Sequence, residues 1–137
     1  MESMNPEVKA LWIAALESGE YEQGVGYLKA FREGGKPHYC CLGVLCDLAV
    51  KAGVVGECSE VLSAISDFSF IKFDRSSAVL PESVMTWAGL HTAEGQFAES
   101  VEYHGGSWGK SANNLANLND DAGFNFQQIA GVIKKQF

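Results

Sequence analysis

Tyr39-Cys40-Cys41-Leu42-Gly43-Val44-Leu45-Cys46-Asp47-Leu48-Ala49 is a nearly uninterrupted apolar run that carries three cysteines and a single carboxylate. A membrane-spanning helix needs about 20 consecutive apolar residues, so a run this short has to be a buried element of a small globular domain. Its pattern predicts a strand-to-helix passage, with Leu42, Leu45, Leu48, Ala49 and Ala52 turned inward and Gly53 ending the helix. A chain of 137 residues can bury such an element in one core without disulfide or metal staples. A single globular domain over 1–137 is therefore expected.

The flanking sequence supplies the other layers. Asn5 is a good N-cap, Pro6 suits the first helical position, and Val8, Leu11, Trp12, Ala15 and Leu16 recur at helical spacing up to Gly19. Gly26 to Phe31 alternates like a strand and is closed by the turn Glu33-Gly34-Gly35-Lys36-Pro37. Ser59 to Ile65 reads as a short helix, and Phe68 to Phe73 as a strand ending at Asp74-Arg75-Ser76-Ser77. Pro81 at a first helical position announces a helix that stops at Gly89; Phe97 to Tyr103 alternates again, with His104 to Ser107 as the following turn. A helical turn around Leu115 and Leu118 leads to the last helix. There Asn125 and Gln128 form a capping-box pattern, Phe124 can staple onto Ile129, and Phe126, Ile129, Val132, Ile133 and Phe137 make the apolar stripe. The expected fold class is α+β: a short antiparallel sheet packed by four or five helices.

Motifs that resemble catalytic signatures fail on context. Gly105-Gly106-Ser107-Trp108-Gly109 has the nucleophile-elbow spacing, yet no histidine follows Ser107 in the chain. Gly24-Val25-Gly26 opens like a dinucleotide fingerprint but lacks the third glycine and precedes a strand. The four cysteines include no C-x-x-C pair, and no H-x-x-x-H occurs, so they read as small buried hydrophobes and no metal site is expected. A Cys–His pair, Cys41 with His38 or His104, stays open because such pairs meet only in space. Asp120-Asp121 supplies too few regularly spaced oxygens for a divalent-cation loop, and Asn119 to Asp121 read as turn and cap residues or as acceptors for sugar hydroxyls.

The formal charge of −7 argues against a nucleic-acid backbone as partner. It leaves room for a small anion in a locally positive pocket. Aromatic rings, cations and amide or carboxylate forks are the three classes a nucleotide-like ligand requires for base, phosphate and ribose. Tyr27, Tyr39 and Trp108 supply rings, Arg32 a cation, and Asn117, Asn119 and Asp120 polar forks. These seven are the candidate ligand-binding residues. The opening Met1-Glu2-Ser3-Met4-Asn5 has neither a basic nor an apolar segment, so secretion is not expected, and no stretch is long enough to cross a bilayer.

Asn5-Pro6-Glu7-Val8, Tyr21-Glu22-Gln23-Gly24, Gly26-Tyr27-Leu28, Tyr39 to Ala49, Leu80-Pro81, Trp87-Ala88-Gly89-Leu90, Leu118-Asn119-Asp120 and Phe126 with Ile129-Ala130 resemble a family of small proteins encoded by tailed bacteriophages and prophages. The resemblance spans nearly the whole chain and is weakest over 54–78 and 91–112. It implies a protein of the cytoplasm of an infected bacterium, and brings no set of catalytic residues and no cofactor. Small acidic phage proteins include inhibitors of host defence, some of which sequester nucleotide immune signals such as ADP-ribose derivatives or cyclic nucleotides, usually as homo-oligomers. The leading expectation is a non-catalytic sponge of this kind. Two others stand beside it: an acidic inhibitor or adaptor that binds a host defence protein, and a nucleotide-processing enzyme acting through Cys41 or Asp120.

Overall fold

Two facing pairs of backbone groups at Phe73 and Ser76 show how closely local sequence directs this chain. Asp74 and Arg75 between them both take positive φ (47° and 73°), and Phe73 and Ser76 exchange N–H···O bonds of 2.8 and 2.9 Å. That is the two-residue turn whose twist suits right-handed strands. The computed structural model describes residues 4–31, 35–62, 69–105 and 108–137; the side chains of 57–62, 104, 105 and 108 lie outside the description. The elements run α1 (Pro6–Glu17), β1 (Glu22–Gln23), β2 (Lys29–Phe31), β3 (His38–Tyr39), α2 (Cys41–Lys51), β4 (Glu57–Leu62), β5 (Ser69–Phe73), α3 (Glu82–Ala88), β6 (Gln96–Gly105), β7 (Trp108–Asn114), α4 (Leu115–Asp120) and α5 (Phe126–Gln136).

The result is a small single-domain α+β fold. One sheet has the order β1-β3-β2-β5-β4 and is antiparallel apart from the β1–β3 pair; β6 and β7 form a separate antiparallel ribbon. A single cluster of buried apolar residues joins α1, α2, α3, α5 and the inner face of the sheet. At its centre the first two turns of α2 are buried on every side: Cys41, Leu42, Gly43, Val44, Leu45 and Cys46. A helix enclosed all round has to be apolar all round, which is why the run has no polar face until Asp47. The backbone of Leu28 presses so close that a Cβ on Gly43 would lie 1.6 Å from the Leu28 carbonyl oxygen.

Several local signals are realised as read. Asn5 caps α1 by accepting from Glu7 and Val8 N–H, and Asn125 with Gln128 closes both halves of a capping box on α5. Other readings need correction. The short helix expected over Ser59 to Ile65 is instead β4 as far as Leu62, because pairing with β5 (Val61 opposite Phe70, Leu62 opposite Ser69) satisfies its backbone; residues 63–68 lie outside the description. Leu11, assigned to the buried face of α1, is 53% exposed, since Val8, Trp12 and Leu16 alone suffice to meet the core. Ala52 is exposed rather than inward. Pro81 is the N-cap of α3, one position earlier than expected. β2 starts only at Lys29, after a turn in which Gly26 holds φ +81°. β7 has no apolar alternation to announce it; its Gly109-Lys110-Ser111 stretch forms a strand by pairing with β6.

Candidate functional site

The strongest concentration of polar chemistry lies where the loop Gly24–Tyr27 folds over the start of α2. Asn119, on α4, is 1% exposed. Its Oδ1 accepts from Cys41 N–H (3.1 Å) and Gln23 Nε2 (2.9 Å), while its Nδ2 donates to Gly24 O (2.8 Å) and Asp120 Oδ1 (2.9 Å). The Cys41 N–H can only donate, which fixes the orientation of the amide. All four hydrogen-bonding positions of this side chain are therefore taken from within the chain. Asp120 Oδ1 also accepts from Gly26 N–H at 3.0 Å, and Gln23 Nε2 donates to Phe124 O at 2.7 Å. Cys40 N–H donates to Tyr27 O at 3.3 Å and Gly24 N–H to Tyr39 O at 2.8 Å, so loop and helix entry are sewn into one unit.

The thiols at this junction are not poised nucleophiles. Burial pushes Cys40 up to about 12, despite the opposing effect of Gly43 and Leu42 N–H groups, and burial also raises Cys41 and Cys46. The Cys41 thiol donates to Leu115 O at 3.5 Å rather than to an imidazole. The pairing of Cys41 with His38 is thus not formed; His104's side chain lies outside the description. Among the described residues no cluster of His, Cys, Asp or Glu could hold a metal ion.

Beside this unit, two lysines lie against three aromatic rings. Lys29 Nζ lies 5.7 Å from the Phe31 ring centroid and 5.6 Å from that of Tyr39. Tyr39 meets Tyr21 edge to face at 5.0 Å, and Lys51 Nζ sits 5.5 Å from the Tyr21 centroid. β2 and β3 place Lys29 directly opposite Tyr39 in the ladder, which puts both on one face of the sheet. Asp47 organises the other end: the Tyr21 hydroxyl donates to it, Lys51 pairs with it at 3.2 Å, and Lys51 donates to the Tyr21 oxygen at 3.2 Å. Burial, followed by the Asp47 hydrogen bond, pushes the Tyr21 hydroxyl up to about 12. The Tyr21 and Asp47 hydrogen bonds likewise raise the Lys51 ammonium, so both groups keep their protons at neutral pH. Lys51 leaves 66% of its side chain exposed, against 13% for Asp47.

Of the seven candidates, Tyr27, Tyr39, Asn119 and Asp120 converge on this loop-and-helix junction. Tyr39 is largely buried under Lys29, and Tyr27 stacks its ring on Phe70 at 4.7 Å. Asn117 serves α4, its N–H donating to Asn114 Oδ1 and its carbonyl accepting from Asp121 and Ala122. Trp108 begins β7, about 20 Å of extended strand away from the start of α4, and its side chain is not described. Arg32 also lies outside the described residues. Sequence reasoning missed Lys29, Tyr21, Asp47 and Lys51 as a set. One signal was available: Asp47 and Lys51 stand at i, i+4 on the expected helix, and Asp47 is the lone carboxylate of an otherwise apolar run.

Fold and site together define a small α+β protein with a rigid helix-entry hub and an adjoining cation–aromatic strip. A family model matches residues 4–137, and the chain belongs to that family, a domain of unknown function designated DUF8296. No curated protein and no solved structure matches the chain. Among the described residues no helix is long and apolar enough to cross a membrane.

Proposed function

We propose that this protein is a phage-encoded, non-catalytic binding protein that sequesters a nucleotide-derived bacterial immune signal, of the ADP-ribose or cyclic-nucleotide type. The observation that carries the reading is the strip Lys51–Tyr21–Tyr39–Lys29–Phe31, in which two ammonium groups lie against three aromatic rings, Tyr21 and Phe31 half-buried and Tyr39 buried, on a chain of net charge −7. Asp47 answers Lys51 from beneath, 13% exposed against 66%, so the ammonium is the outward member of the pair and the one a small anion meets. The half-buried Tyr21 and Phe31 rings offer edges or faces to a planar base. The exposed Asp120 carboxylate accepts two hydrogen bonds at Oδ1 and none at Oδ2 among the described residues, which suits it to a sugar hydroxyl. Buried, protonated thiols support capture rather than turnover.

The test is capture and release. Purified protein is mixed with each signal, the free signal is assayed, and the assay is repeated after heat denaturation. The reading expects signal that vanishes and then returns intact. Signal lost for good would mean an enzyme, and signal that stays free throughout would overturn the reading in favour of a protein partner.

A further inference from the structure

A half-open concavity of about 280 Å³ lies away from the strip, where the C-terminal end of α3, the start of β6 and the last residues of α5 meet. Met4, Leu90 and Phe97, each at most 7% exposed, form its floor, and Phe137 stands edge-to-face against Phe97 at 6.3 Å as one wall. The walls are held by paired polar groups. Thr92 Oγ1 accepts from Gln96 N–H at 2.7 Å, and the Gln136 amide both accepts from Glu99 N–H (3.3 Å) and donates to Glu99 O (2.9 Å). That pair of hydrogen bonds to the Glu99 main chain anchors the end of α5 across the irregular part of β6, where the register shifts between Gln96 and Val101.

From these features the geometry points to a binding site for a flat, uncharged aromatic molecule of one or two fused rings. The size follows from the volume, which sits just below the range of about 300–1,000 Å³ usual for larger ligands. Ring character follows from the Phe97–Phe137 pair and the Met4 thioether, which favour face and edge contacts with another ring. Neutrality follows from the floor of Met4, Leu90 and Phe97: the lining includes no lysine, arginine, aspartate or glutamate, its one ionisable side chain is the exposed His91, and Thr92 and Gln136 are already paired with backbone groups. An ion on this floor would lose hydration without an opposite charge beside it. This site is independent of the strip and of the reading built on it.

Indole is a probe of the right size, with tryptamine and indole-3-acetate as its cationic and anionic counterparts. Titration of the full chain followed by amide NMR should show saturable indole shifts at Gln96–Ala98 and Gln136, with both charged analogues at least tenfold weaker. Ala98 is exposed at the mouth, so Ala98→Trp should block entry and weaken indole at least tenfold while the melting temperature holds. Ala98→Glu is a second variant for the same purpose, should the larger residue disturb the ribbon. The joint Lys29→Ala, Lys51→Ala variant should bind indole as the natural chain does. No saturable shift, shifts centred elsewhere, equal binding of a charged analogue, or full indole affinity in a folded Ala98 variant would each overturn the inference.

Discussion

The first turns of α2 and the strip beside its C-terminal half are built from neighbouring residues and differ in where their polar groups find partners. At the helix entry the buried groups are answered inside the chain, Asn119 by four partners, Cys41 O by the Trp12 indole N–H at 3.0 Å and Cys40 N–H by Tyr27 O, and only the exposed Asp120 turns an oxygen outward. Along the strip the partners lie partly in solvent, with Lys51 two-thirds exposed. The first region spends its chemistry on holding the fold. The second keeps charge at the surface, where a ligand can reach it. Substitutions at the entry should therefore cost stability, and substitutions in the strip should cost binding.

The largest effect should come from Gly43→Ala. Helix propensity alone favours alanine by about 1 kcal/mol, yet the new Cβ would meet the Leu28 carbonyl oxygen at 1.6 Å. The backbone cannot step aside without shifting β2, so urea denaturation should show a loss of roughly 3 kcal/mol or more, or no folded protein. A neutral or stabilising result would mean that α2 is not packed against Leu28. Next comes Asn119→Leu, which keeps bulk but strands Cys41 N–H and Gly24 O; a loss of roughly 2–4 kcal/mol is expected from the same denaturation measurement. A loss below about 0.5 kcal/mol, the scale of ordinary surface changes, would remove Asn119 from the frame.

Alkaline pH tests both regions together. Cys40 and Tyr21 ionise near 12 in the folded chain, above their ordinary values of 9 and 10. The folded state thus holds protons that the unfolded state has released, and stability falls as pH rises from about 9 to 12. The melting temperature should drop across that window. Cys40→Ala should lessen the drop at its lower end, to which the buried Cys41 and Cys46 contribute in the same direction, and Tyr21→Phe should lessen it from about pH 10 upward. At pH 7.5, mass-spectrometric mapping after brief iodoacetamide treatment should leave Cys40, Cys41 and Cys46 unmodified until denaturant is added.

How much of this division is written locally in the sequence differs between the regions. The capping box at Asn125, the N-cap at Asn5 and the helix in the cysteine-rich run are set by residues within a few positions of one another, so periodicity and cap chemistry reveal them. The hub is not, because Asn119 lies 96 residues from Gln23 and 78 from Cys41, and nothing near Leu118-Asn119-Asp120 distinguishes a ligand fork from a structural one. β4 and β7 were illegible for a related reason: each is a strand because of its neighbour, whatever its own pattern. In the strip, Tyr39 was visible as a ring, but only the β2–β3 register sets Lys29 opposite it, and only the packing of α2 beside Tyr21 brings Asp47 and Lys51 to that ring.

The smallest effects on stability should come from the strip. Lys51→Ala removes an ammonium on a side chain two-thirds exposed and Lys29→Ala a half-buried one, and each should change unfolding free energy by about 1 kcal/mol or less. Calorimetric titration with an ADP-ribose-type or cyclic-nucleotide signal therefore tests the account most directly, using the natural chain and the Lys29→Ala, Lys51→Ala double variant, with melting temperatures recorded in parallel. Saturable binding by the natural chain is expected, with at least a tenfold loss in the double variant, the scale of about 1.4 kcal/mol, at an almost unchanged melting temperature. Equal binding by both proteins, or no binding by either, would contradict it.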